Sequence, residues 1–138
     1  MAQRWEHFPH DADVGIRGIG DSLSEAFAAA AEAMTGAIVD PFCVRPSTAV
    51  AIHCTGIDEE DLFYAWINAV LFEMATRRML FGHFEVSIEG LELDARAWGE
   101  PIVPARHEPG VEVKGATMTA LRVHREGARW IAECVIDV

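Results

Sequence analysis

Apolar and polar positions change their spacing along the chain, and each change marks an element. Trp5–Phe8 and Val14–Gly18 read as a pair of short strands on either side of PHDAD. In DSLSEAFAAAAEAMTG the spacing becomes helical: Leu23, Phe27, Ala30, Ala31 and Met34 fall on one stripe. Ser22 with Glu25 forms a capping box ahead of that stripe, and Gly36 reads as its stop. STAVAIHCTG alternates, with Val50, Ile52 and Cys54 opposite Ala51 and His53. DEEDLFYAWINAVLFEMATRR returns to helical spacing, with Phe63, Trp66, Val70 and Met74 inward. Its acids at 58–61 and Arg77–Arg78 sit at the ends that the helix dipole favours. FGHFEVSIEG and LELDARAWG predict a hairpin turning at Glu89–Gly90. GEPIVPARHEPGVEVKG has no period, and reads as a long connection stiffened by Pro101, Pro104 and Pro109. ATMTALRVH and WIAECVIDV predict two closing strands, the latter apolar on both faces and so interior to a sheet.

This order predicts an α+β fold, two helices packed on β-sheet, in a single domain over residues 1–138. The strand–helix–strand unit occurs twice.

Composition narrows the function. Twenty-two acids against eleven bases give a net charge of −11. That surface offers few cations for displacing counterions from nucleic acid, and suits metal ions or a basic protein partner. RNA would be served only indirectly. No apolar run spans a bilayer and the amino-terminal stretch lacks a signal-peptide core, so a soluble, cytoplasmic protein is expected. Cys43, Cys54 and Cys134 are widely spaced and form no CxxC, which favours reduced thiols.

Three stretches carry candidate chemistry. In PHDADVG, if extended, Asp11 and Asp13 share one face and His10 and Ala12 the other. Closely spaced carboxylates beside a glycine are parts of a hard-cation site or of a polar turn. At the other end, Asp137 adjoins Val138, where a second carboxylate is tolerable at a solvated rim or across a divalent cation. The proline-stiffened stretch bears Glu100, Arg106, His107, Glu108 and Lys114, which suits partner recognition or plain solvation. His7 and His10 lack a second ligand pair for zinc, and GIRGIGDS lacks the phosphate-loop spacing and lysine. Trp66 and Trp130 lie on inner stripes, as core. No nucleophile with a matching base is present.

HDADVGIRGIGDSLSEAF, GEPIVPARHEPGVEVKGAT and the final VIDV, in this order and spacing, resemble the archease family over essentially the whole chain. The resemblance implies one strand–helix–strand–strand module inserted in another. It also implies a non-catalytic accessory factor that promotes guanylylation and multiple turnover of an RtcB-type RNA ligase in tRNA splicing and RNA repair. The family's metal site, carried over, comprises Asp13, Asp137 and Val138. Such an oxygen set suits Ca2+, Mg2+ or Mn2+. Asp11, His10, Glu100, His107 and Lys114 are secondary metal or partner contacts. Ala69, Ala75, Met118 and Thr119 depart from residues common in the family. A general folding chaperone and a metal-dependent hydrolase are the alternatives.

Overall fold

The computed structural model describes residues 4–138. Strand β1 (Arg4–His10) turns at Asp11–Ala12 into β2 (Asp13–Gly20), which leads to helix α1 (Leu23–Ile38). A 3-10 turn at Pro41–Cys43 precedes β3 (Thr48–Thr55), helix α2 (Glu59–Arg77), β4 (Met79–Glu89) and β5 (Glu92–Pro101). A short helix α3 (Pro104–His107) and a two-residue strand β6 (Gly115–Ala116) lead to β7 (Arg122–Glu126) and β8 (Arg129–Asp137).

Two antiparallel sheets result. In the five-stranded sheet β1 pairs β2, β2 pairs β8, and the far edge of β8 carries both β6 and β7. The smaller sheet has the order β3-β5-β4. Since β3, α2, β4 and β5 are consecutive between α1 and β6, one strand–helix–strand–strand module is inserted in the other. The fold is α+β, as the sequence predicts.

Helix α1 packs against β2, β8 and β1 on one side and β4 on another. That explains why its burial exceeds one stripe: Ala26–Ala31, Ala33 and Met34 are all buried. Small residues make the contact possible. A Cβ at Gly18 would lie 2.1 Å from the Ala26 carbonyl oxygen, so helix and strand backbones nearly touch there. Helix α2 lays Phe63, Trp66, Ile67 and Val70, all fully buried, into the core. Trp66 meets Phe84 edge-on at 6.0 Å, and its indole N–H donates to the Phe27 carbonyl at 3.0 Å. Each such side chain contributes roughly 1.5–3 kcal/mol by leaving water, and the hydrogen bond removes the cost of burying the indole nitrogen.

The Ser22 cap forms as expected, its hydroxyl accepting from the Glu25 amide, and Asp58, among the acids placed at the start of α2, caps that helix by accepting from the Asp61 amide. Gly36 does not stop α1, which runs on to Ile38. A Cβ there would lie 2.6 Å from the Trp5 ring, so this glycine makes room for an aromatic side chain rather than a turn. The hairpin turns at Gly90–Leu91, with Gly90 at φ +61°. Two further expectations change. The aperiodic stretch is partly regular, because β5 continues to Pro101 and α3 follows. The strand expected over 116–124 is broken by a turn in which Ala120 has φ +54°, and only 122–126 continue it. Among the described residues no helix is long and apolar enough to cross a membrane.

Candidate metal and partner site

The ladder registers assemble one end of the five-stranded sheet from remote parts of the sequence. His10 pairs with Asp13 across β1 and β2. Val14 pairs with Ile136 across β2 and β8, so the next position outward sets Asp13 beside Asp137. Gly115 of β6 pairs with Asp137 on the other side. Residues directly opposite in an antiparallel pair project to the same face, so His10, Asp13 and Asp137 share the face turned away from α1.

Hydrogen bonds fix the end of this row. The Val138 amide donates to Asp13 Oδ1 at 3.3 Å, and the Lys114 amide donates to the Asp137 carbonyl at 2.8 Å. Val138 also packs against the main core. The strand is therefore held by β2 through Ile136 and by β6 through Asp137, with Val138 bonded to the Asp13 side chain. Strand β6 is anchored to α2, since the Ala116 amide donates to Asn68 Oδ1 at 3.0 Å. Asn68 is a positioning residue that the sequence did not single out, since its partner lies 48 positions away.

Asp11 does not continue the strand. It occupies the turn with φ +52°, its side chain is 93% exposed, and it lies 3.9 Å from His10 Nδ1. The shared face expected for Asp11 and Asp13 is thus absent, because the hairpin reverses between them.

Glu100 and His107 form a separate, buried cluster at the end of β5 and in α3. Glu100 accepts from Arg106 at 2.5 Å, from the Arg45 amide at 2.8 Å, and from His107 Nε2 at 3.0 Å. The Val103 amide donates to His107 Nδ1, which leaves the Nε2–H to donate a hydrogen bond to Glu100. Hydrogen bonds from Arg106, the Arg45 amide and His107 hold the Glu100 carboxyl at about 2, against desolvation, which acts the other way. This cluster ties the proline-rich segment to the turn after α1.

At the sheet end the Asp13 and Asp137 carboxylates and the Val138 main chain offer oxygen donors, with the His10 imidazole on the same face opposite Asp13. Hard cations prefer oxygen donors and complete their shell with water. Among the described residues no three His, Cys, Asp or Glu side chains are grouped to hold a metal by themselves. The oxygen donors would suit an open calcium-, magnesium- or manganese-type site better than a closed zinc site. No thiol is poised nearby for covalent chemistry: burial pushes Cys134 up to about 12 and also raises Cys54.

The model of the Archease protein family matches residues 5–138, from β1 through the last residue of the row. The chain belongs to the archease family. It is 39% identical to the protein archease of Pyrococcus abyssi over 141 residues, covering 99% of both chains. It is 36% identical to that of Sulfurisphaera tokodaii over 138 residues, again covering 99% of each. The solution structure of Methanobacterium thermoautotrophicum protein 1598 superposes with a TM-score of 0.86 at 30% identity, covering 97% of this chain and 98% of that one. These archease relatives match the inserted module as well as the framework around it, because their coverage is nearly complete.

Proposed function

We propose that this protein is a non-catalytic, metal-binding accessory factor of an RtcB-type RNA ligase, promoting its guanylylation and multiple turnover in tRNA splicing and RNA repair. The reading rests on membership of the archease family and on one observation above all: the ladder register that sets Asp13 beside Asp137 and Val138. Asp13, Asp137 and the main-chain oxygens of Val138 would hold Ca2+, Mg2+ or Mn2+. A divalent cation held there would supply charge neutralisation and polarisation at a phosphoryl oxygen. The chain's own part is positional. Strand pairing presents Asp13 and Asp137 at an exposed sheet end, and the Val138 amide orients Asp13 Oδ1. A net charge of −11 steers the protein toward a basic partner.

The test adds purified protein to the ligase and measures guanylylated ligase and turnovers. Wild type is expected to raise both. Asp13→Ala, and one residue added after Val138, are expected to abolish the gain while melting close to wild type. Normal stimulation by both variants overturns the metal reading. Suppression of aggregation without any effect on the ligase would favour a folding chaperone. Metal-dependent cleavage of phosphate esters by the isolated protein would favour a hydrolase.

A further inference from the structure

The face of the five-stranded sheet that bears Asp13 and Asp137 also carries a second feature nearer its other end. Arg4 and Glu6 of β1, Arg17 and Ile19 of β2, Ile131 and Glu133 of β8, and Arg122 and His124 of β7 line a cleft of about 560 Å3, with Glu126 and Arg129 at its rim. Its floor is apolar: Ile19 and Ile131 are buried beneath the charged side chains. Four arginines against three glutamates leave it one positive charge with His124 neutral, in a chain whose net charge is −11.

These arginines are not equivalent. Arg17 is bracketed by Glu133 at 2.6 Å and Glu6 at 2.7 Å, so its charge is already offset within the cleft. Among the described residues no carboxylate lies within ion-pair distance of Arg4, Arg122 or Arg129, and Glu126 lies 3.5 Å from His124 instead. His124 Nδ1 is buried and has no hydrogen-bond partner among the described residues. A guanidinium offers five N–H donors in a planar fork, so three of them in one cleft are matched by a ligand that is all acceptors and carries charge. Phosphate meets that description, and the cleft is the size of small-ligand sites, roughly 300–1,000 Å3.

We infer that this cleft binds a phosphate group, supplied by a nucleotide or by an RNA end. It lies on the same face as the carboxylate row. Arg17 and Asp13 are four residues apart on β2, roughly 13 Å of strand.

The experiment uses the full chain alone, with chelator and without ligase, so that its outcome does not depend on the metal reading. Sodium pyrophosphate is titrated in one arm and a short labelled oligouridylate with a 3′-phosphate in the other, with backbone amide shifts followed by NMR. Saturable shifts are expected along Arg122–Arg129 and near Arg17. Arg122→Ala and Arg129→Ala are each expected to weaken binding about tenfold, as loss of one charge-assisted contact does. Arg122→Lys should recover part of that loss, and Arg96→Ala, on the smaller sheet, should change nothing. Thermal melting of each variant separates lost binding from lost fold, and Arg4→Ala on the edge strand gives an independent probe should a β7 variant unfold. Binding of pyrophosphate alone assigns the cleft to nucleotides, and binding of the oligomer alone assigns it to RNA; either supports the inference. Absence of saturable binding in both arms, or binding that survives all the arginine-to-alanine variants, overturns it.

Discussion

Two acid-bearing regions stand in contrast. At the end of β5, Glu100 is buried and accepts from an arginine, a backbone amide and a histidine. At the end of the five-stranded sheet, Asp13 accepts from the Val138 amide, while the exposed Asp137 side chain has no hydrogen bond among the described residues. Both regions carry chemistry-bearing side chains, yet they do opposite work. A carboxylate whose lone pairs are filled by the protein stabilises a loop and has little left for a ligand. A carboxylate left half-bonded at an exposed rim adds little stability and keeps oxygens for an incoming cation or partner. Reading bonding saturation, rather than residue type, separates the two.

This contrast breaks or holds on substitution. The largest expected effect is Asp13→Ala with Asp137→Ala: calcium or manganese binding by isothermal titration should vanish, while the melting temperature moves by only a few degrees. Glu100→Ala should do the reverse. It strips partners from Arg106, His107 and the Arg45 amide, and is expected to cost about 2–3 kcal/mol in denaturant unfolding. Cation affinity should be unchanged. If Glu100→Ala instead weakened cation binding as strongly as Asp13→Ala, the two regions would form one site.

Acid sharpens the same comparison. Glu100 is held at about 2 against an ordinary 4.5, so the unfolded chain takes up its proton first as pH falls. Its contribution is present above about pH 4.5 and is lost as pH drops from there toward 2. Wild-type stability should therefore fall through that window, and Glu100→Gln should flatten this part of the profile in urea melts.

Smaller effects follow at supporting residues. Asn68→Ala removes the acceptor of the Ala116 amide and is expected to cost about 1 kcal/mol. Faster amide exchange at Gly115–Ala116 would register the loosened edge beside Asp137. Asp11→Gly should be nearly neutral, since residue 11 sits in the left-handed region at φ +52° and its carboxylate is solvated. A loss of cation binding in Asp11→Gly would place Asp11 among the ligands.

Much of the fold was legible because it is local. The capping box at Ser22–Glu25, the inner stripe of α2 and the alternation in β3 each need only neighbouring residues. What was misread depended on remote partners. Gly36 resembles a helix stop until Trp5 is seen against it, and the 116–124 run looks like one strand until Ala120 is found in a turn. The burial of α1 beyond its stripe could not be read either, because its alanines are covered from both sides by elements far off in sequence.

The candidate site divides along the same line. The sequence by itself determined which groups are available: an acidic chain, with Asp13 near one end and Asp137 and Val138 at the other. It also carried the family resemblance that the full-length comparisons bear out. Only the tertiary structure decided that β2 and β8 are neighbours in the register that joins those ends, and that Glu100 and His107 are consumed by their own contacts. It alone placed the arginines of four separate strands around one cleft. The physical reason is that strand register is set by partners more than 100 positions apart, as Val14 and Ile136 are, and that filling the lone pairs of Glu100 draws on Arg45, 55 positions away, where local pattern carries no information.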